Sequence, residues 1–269
     1  MFAAYIHSVR ESINKRMALV LFGLAIFFAV ILFLFIRLRP MADGTSMIFL
    51  GPHMLGPASL AVPAAQSEEV KTTGTLWLFL AIFAAVPLLV SALEKGWVEL
   101  TLTKGVARWK ILLGCYFSGL TLYAATLCIA MLPTAFYLWA KTGVGVKPLL
   151  IGILIETFGF ASLMSLATLA SITRTGASLP IMIAVFMDLF APVLANRKQM
   201  LFSLITSSGW QAVFNWTYKI LPKPSEVMNA STSYIQFGSL GGWYPLWTTG
   251  IFTIVMLGIT MVMLQRKSL

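Results

Sequence analysis

The sequence predicts an all-α polytopic membrane protein with six transmembrane helices. It also predicts a short amphipathic cytoplasmic helix between helices 2 and 3, and an interfacial or re-entrant helix before helix 6. Three observations carry this reading. The 269 residues are 59% hydrophobic and only 10% charged, against about 25% charged in an ordinary soluble domain. The mean hydropathy is +0.88, leaving too few polar residues to cover a soluble surface. Several runs reach the roughly 20 apolar residues that a bilayer crossing needs.

The start, MFAAYIHSVRESINKR, is charged and long, and the apolar run that follows is too long for a signal-peptide core of about 7 to 15 residues. It is read as a retained helix, Met17 to Ile36. AVPAAQ at Ala61 to Gln66 resembles a cleavage site but lies too far downstream. The remaining spans are Thr75 to Ala92, Ile111 to Trp139, Leu149 to Ile172, Ala177 to Ala195 and Pro245 to Leu264. Lipid offers the backbone no hydrogen-bond partners, so runs of this length must be helices. The alternation of a transmembrane barrel is absent. The whole chain, residues 1–269, is read as one transmembrane domain.

Basic residues orient the spans. With the N-terminus inside, ten of the 19 Lys and Arg residues fall on inside segments and nine on outside ones. The inside segments total roughly 45 residues and the outside ones about twice that, and short loops dominate the positive-inside rule. Both termini are therefore placed in the cytoplasm, with the chain in a cell (inner or plasma) membrane.

Two outside segments are long. Arg37 to Gly74 is rich in Gly, Pro and Ala and reads as irregular. In Asn196 to Tyr244 the aromatics Trp210, Phe214, Trp216 and Tyr218 cluster with polar residues before LPKPSEV breaks the run. Such aromatics favour the bilayer interface, so Met200 to Leu221 is read as an interfacial or re-entrant helix. Asn215-Trp-Thr217 and Asn229-Ala-Ser231 match the glycosylation triplet, which arises often by chance.

The charge of +10 does not point to nucleic acid. The basic residues are spread through the loops, with no basic stripe and interleaved aromatics. Cys115 and Cys128 are thirteen residues apart on one predicted helix, roughly 20 Å at helical rise. They cannot form a disulfide within one chain, which needs Cα atoms about 5 to 6 Å apart. The 14 methionines are scattered singly as apolar filler, not grouped as thioether ligands. His7 and His53 are the only histidines and neither lies in a span, which excludes a bis-histidine haem in the membrane. No HExxH or Cys–His cluster occurs, and no side chain is assigned to catalysis or to a metal.

Charge is concentrated in LEKGWVELTLTKGVARWKILLG, Leu93 to Gly114, which holds six of the 28 Asp, Glu, Lys and Arg residues in 22 positions. Helical phase places Leu93, Trp97 and Leu100 on one side, with Glu94 and Glu99 flanking. Gly105 is a helix stop, because Gly enters the left-handed conformation cheaply. Arg108 and Lys110 then begin the next span. Two readings fit. An ordinary loop would carry topology-setting cations, but has little use for Glu94, Glu99 or an exposed Trp97. An amphipathic element joined rigidly to two spans would transmit force to a soluble partner.

At these residues a family resemblance emerges. Glu94-x-Gly96-x-x-Glu99-Leu100, then Gly105-Val106-x-Arg108, Ile111 and Gly114, resembles the segment after the second helix of ABC-2 type permeases, the membrane subunits of one class of ABC transporter. The layout is similar too: an N-terminal amphipathic segment at Tyr5 to Arg16, a short fourth-to-fifth loop at Ser171 to Gly176, and a long outer segment before the last helix. Lys104-Gly105 stands where the family often has Pro, and Gly114 where Lys is common.

The resemblance implies that Glu94, Gly96, Trp97, Glu99 and Arg108 form a coupling helix seated in a groove on an ATPase. It implies a dimer of permease chains, most naturally an exporter. ATP and Mg would bind the partner, since no G-x-x-x-x-G-K-[ST] loop occurs in this chain.

Two ionisable residues, Glu156 and Asp188, fall inside predicted spans. Such groups cost a few kcal/mol on insertion scales, so each lines a pathway or serves as a polar packing contact. A gradient-driven transporter is the competing class. It calls for inverted repeats around midplane charges. Pro87, Pro133, Pro180 and Pro192 can break helices, but the two halves show no convincing similarity. A non-transporting scaffold is the third class.

Overall fold

The computed structural model describes residues 2–14, 16–40, 46–50, 53–92, 107–173, 176–203, 205 and 207–266. In chain order the elements are α1 (Phe2–Asn14), α2 (Met17–Phe35), β1 (Ile36–Pro40), β2 (Ser46–Leu50), β3 (His53–Pro57) and α3 (Ala58–Ala92). They continue with α4 (Arg108–Thr142), α5 (Lys147–Ser171), α6 (Ser178–Ala195), α7 (Arg197–Met200), α8 (Ser208–Ile220), α9 (Pro224–Phe237) and α10 (Tyr244–Arg266).

Among the described residues six helices, α2 to α6 and α10, are long and apolar enough to cross a membrane. Each overlaps one of the six spans expected from the sequence. The chain is a multi-pass helical membrane protein.

Peripheral and central helices differ in composition for a physical reason. Helix α2 buries only Ala18, Leu21, Ala25 and Ala29, a narrow stripe of mostly small residues that lets it lie close to α4. Leu19, Val20, Phe27, Val30 and Leu34 stay exposed, as apolar side chains can where the solvent is lipid. Small residues at helix contacts are the usual means of close packing in membranes, where burial from water does not drive association. Centrally, Ala81, Ile82, Tyr123, Leu127, Phe160 and Met164 form a continuous buried cluster between α3, α4 and α5. Buried hydroxyls in α5 bond their own helix: Ser162 donates to Gly159 O and Ser165 to Ser162 O, both at 2.7 Å.

In the segment Arg37 to Gly74, read as irregular, the described residues form three strands and the first half of α3. Strands β1, β2 and β3 form an antiparallel meander, with Ile36 opposite Leu50 and Leu50 opposite His53. The register slips between Ile48 and Phe49, and Gly56, at φ +117, supplies the backbone geometry that a side chain resists. Ile48 anchors the sheet on Ala58, Ala61, Val62 and Leu138. The fold is thus a predominantly helical one that carries a small three-stranded sheet. Helix α3 begins at Ala58 and not at Thr75. Pro40, Gly56 and Pro57 fall in the strands, and Ala-rich AVPAAQSEEVK, a good helix former, extends α3 through Pro63.

At the other end of the bundle, α1 packs across α4. Ser8 and Ser118 hydroxyls meet at 2.7 Å, Tyr5 donates to Thr121 Oγ1 at 3.2 Å, and Ser91 of α3 donates to Glu11 Oε1 at 3.0 Å. The expected N-terminal amphipathic segment is therefore a helix docked on both α3 and α4.

Candidate functional site: two carboxyls beneath a short helix

The element that builds the site is α9, where the sequence reading saw only a break. Pro224 stands at its first position, where a missing N–H is harmless and φ is preset, and Gly238 ends it in the left-handed conformation. Helix α9 packs on α3, α5 and α6. Two glycines of α5, two turns apart, form its groove. A Cβ on Gly152 would lie 2.6 Å from Ile235 Cδ1, and one on Gly159 would lie 3.2 Å from Val227 Cγ1. Ser231 donates to Gly152 O at 3.0 Å.

These contacts make α9 antiparallel to α5 and bring its N-terminal end level with Gly159, the central residue of α5 (Lys147–Ser171). Helix α9 thus reaches halfway down the bundle. The expected Met200 to Leu221 helix is α8 (Ser208–Ile220), which shows Trp210, Val213, Trp216 and Ile220 on an exposed face.

A cavity of ≈ 150 Å³ opens beneath the start of α9, bounded by α3, α5 and α6. Glu156 and Asp188, which are 32 positions apart in sequence, both line it, with Thr75, Phe160, Ser225 and Met228. Glu156 is only 3% exposed and its Oε1 has no hydrogen-bond partner; nor has Ser225 Oγ. Such buried polar atoms are uncommon and costly. Ser231 of α9 hydrogen-bonds the Glu156 carboxyl. Tyr123 of α4, with its own hydroxyl buried and unpartnered, packs on Phe160 with ring centroids 4.4 Å apart and lies in electrostatic range of both carboxyls. No described Lys or Arg lines the cavity.

The nearest cation points away. The Lys223 ammonium donates to Thr248 Oγ1 at 3.1 Å and sits over the rings of Tyr218 and Tyr244, at 4.6 and 5.1 Å. Arg197 also lies over the Tyr218 ring, 3.6 Å from its centroid, while its Nε–H donates to Asn215 Oδ1 at 2.9 Å. Tyr218 donates to Glu226 at 3.0 Å. This cluster joins α7, α8, α9 and α10. Burial holds the Lys223 ammonium below its ordinary value, against the nearby Glu226. Burial and the bond to Glu226 push the Tyr218 phenol up.

A second cavity, ≈ 460 Å³, lies between α2, the sheet, α3 and α4, with Phe28, Ile48, Gln66, Glu69 and Leu138 on its walls. Among the described residues no group of three His, Cys, Asp or Glu side chains is placed to hold a metal.

Of the expected coupling residues, Glu94, Gly96, Trp97 and Glu99 lie outside the described residues. Arg108 is the first residue of α4. The flanking geometry is described: α3 and α4 are 35 residues each, about 52 Å at helical rise, and pack side by side. Residues missed by the sequence reading are Thr75, Tyr123, Phe160 and Ser225. A usable signal existed for α9: Pro224, acidic Glu226 in the first turn and Gly238 are helix start and stop marks.

No family model matches this chain, and no curated protein or solved structure proves similar to it.

Proposed function

We propose that this chain is the permease subunit of an ABC-2 type transporter, coupling ATP hydrolysis by a separate ATPase subunit to export across the cell membrane. One observation carries the reading. Two helices far longer than a roughly 30 Å hydrocarbon core pack along each other, and the charged segment at 93–106 joins their adjacent ends. A partner bound there has leverage on both helices at once. Glu94, Gly96, Trp97, Glu99 and Arg108 are the contacts we assign to that partner. Helix α1, tied to Ser91 and Ser118 near those ends, stiffens the assembly.

In this reading both termini and the charged segment are cytoplasmic, α8 rests in the outer interface, and α9 is re-entrant. The chain works as a dimer, with ATP and Mg on the ATPase. Purification in mild detergent from the native membrane, followed by mass spectrometry, tests this. An ATPase recovered at about equal stoichiometry, and lost on charge reversal at Glu94 and Glu99, supports the reading; a preparation free of ATPase after gentle cross-linking overturns it.

A second reading has its own support. Two carboxyls whose cavity no described Lys or Arg lines, at the end of a helix that stops level with the middle of α5, fit a gradient-driven transporter. Uptake driven by an imposed ion gradient in vesicles lacking ATP distinguishes the two.

A further inference from the structure

We infer that the cavity between Thr75, Glu156, Phe160, Asp188, Ser225 and Met228 is a binding site for an organic ammonium cation. It is a property of the chain itself, independent of any ATPase. Under the permease reading such a cation is the cargo.

The charge balance comes first. Glu156 is 3% exposed and presents Oε1, without a partner, where it lines the cavity. Asp188 lines the same space. Two carboxyls sharing an apolar site cannot both be ionised without a compensating positive charge. Within the described residues no protein cation supplies it: Lys223 is held by Thr248 and the two tyrosine rings, and Arg197 by Asn215 and Tyr218. When both carboxyls are ionised, the described residues leave that charge to a bound cation.

The walls then choose the kind of cation. Beyond the two carboxyls, the polar side chains are the hydroxyls of Thr75 and Ser225, and that of Thr75 is turned toward Met228 Sδ at 4.0 Å. The remaining wall is hydrocarbon, an aromatic ring and a thioether. A calcium or magnesium ion takes about six to eight oxygen ligands, and would face an apolar surface over most of this cavity. An alkylammonium matches it. Its N–H groups can donate to Glu156 Oε1, Asp188 and Ser225 Oγ, and its methylenes lie against Phe160 and Met228. An aromatic face adds attraction for the positive charge. The cavity volume of ≈ 150 Å³ holds about five waters' worth of liquid, enough for a short alkyl chain and its head.

The test is isothermal titration of the full-length chain, purified in a neutral detergent, with n-butylammonium chloride, n-butanol and sodium chloride at matched ionic strength. The expected result is saturable binding of butylammonium alone. Glu156→Gln should weaken it at least tenfold and Asp188→Asn several-fold. Equal binding of butanol would show an apolar void with two neutral acids. Equal or tighter binding of sodium would show a metal-ion site. Either result overturns the assignment, as does absence of butylammonium binding. These comparisons use the wild-type chain, so they stand even if a variant fails to fold. Failure here leaves the ATPase recovery unaffected, and the reverse also holds.

Discussion

Ile235 occupies the space that a side chain at Gly152 would need: a Cβ there would fall 2.6 Å from Ile235 Cδ1. That contact holds α9 against α5 and so fixes the roof of the carboxylate cavity. Gly152→Val is expected to push α9 outward and cost about 1 to 3 kcal/mol, the usual range for overpacking. Unfolding in a denaturing-detergent titration measures the cost. Pairing it with Ile235→Ala should recover part of the loss. No recovery would mean that the contact is not what positions α9.

The buried Glu156 carboxyl is a liability to stability. Replacing it with Leu removes an unpartnered oxygen whose burial costs about 1 to 3 kcal/mol. The variant should be at least as stable as wild type in the same titration while losing ammonium binding. A marked destabilisation would assign Glu156 to packing instead.

The Lys223–Tyr218 cluster should make the α8–α9 connection sensitive to alkaline pH. Lys223 titrates below its ordinary 10.5 in the folded chain, so the unfolded chain binds more protons between those values and stability rises with pH there. Tyr218 titrates above its ordinary 10.0; its contribution is complete below 10.0 and is lost as pH climbs toward the raised value. Hydrogen exchange of α8 and α9 should therefore slow as pH approaches 10 and quicken beyond it, after correction for intrinsic rates. Lys223→Met should abolish the rise in protection, and Tyr218→Phe the fall.

Docking of α1 rests in part on the Ser8–Ser118 hydroxyl pair at 2.7 Å. Each single Ala substitution should cost about 0.5 to 1.5 kcal/mol. The double variant should cost less than the sum of the two, because the residues touch. Strict additivity would mean that the hydroxyls do not interact.

Under the permease reading, Glu99→Lys should leave folding and membrane insertion intact while lowering substrate-stimulated ATPase activity of the assembled complex. Unchanged activity would count against a coupling role for the charged segment.

The six spans were legible in the amino-acid sequence because a lipid environment leaves the backbone one local solution: a run of some 20 apolar residues must satisfy its hydrogen bonds internally, as a helix. Glu156 and Asp188 stood out for a related reason, since ionisable groups are rare in such runs. The extension of α3 to Ala58, the meander and α9 were not legible. Their Gly and Pro residues read as breaks, whereas in the fold Pro224 opens a helix and Gly56 serves a bulge.

What the sequence determined by itself, then, is the membrane class, the number of apolar spans and the identity of the unusual charges. Each is a property of local composition. Only tertiary structure decided that those charges share one cavity. Their meeting depends on α9 descending into the groove at Gly152 and Gly159, a fit between surfaces some 70 to 80 positions apart in the chain. Shape complementarity between such distant helices leaves no mark in composition or periodicity.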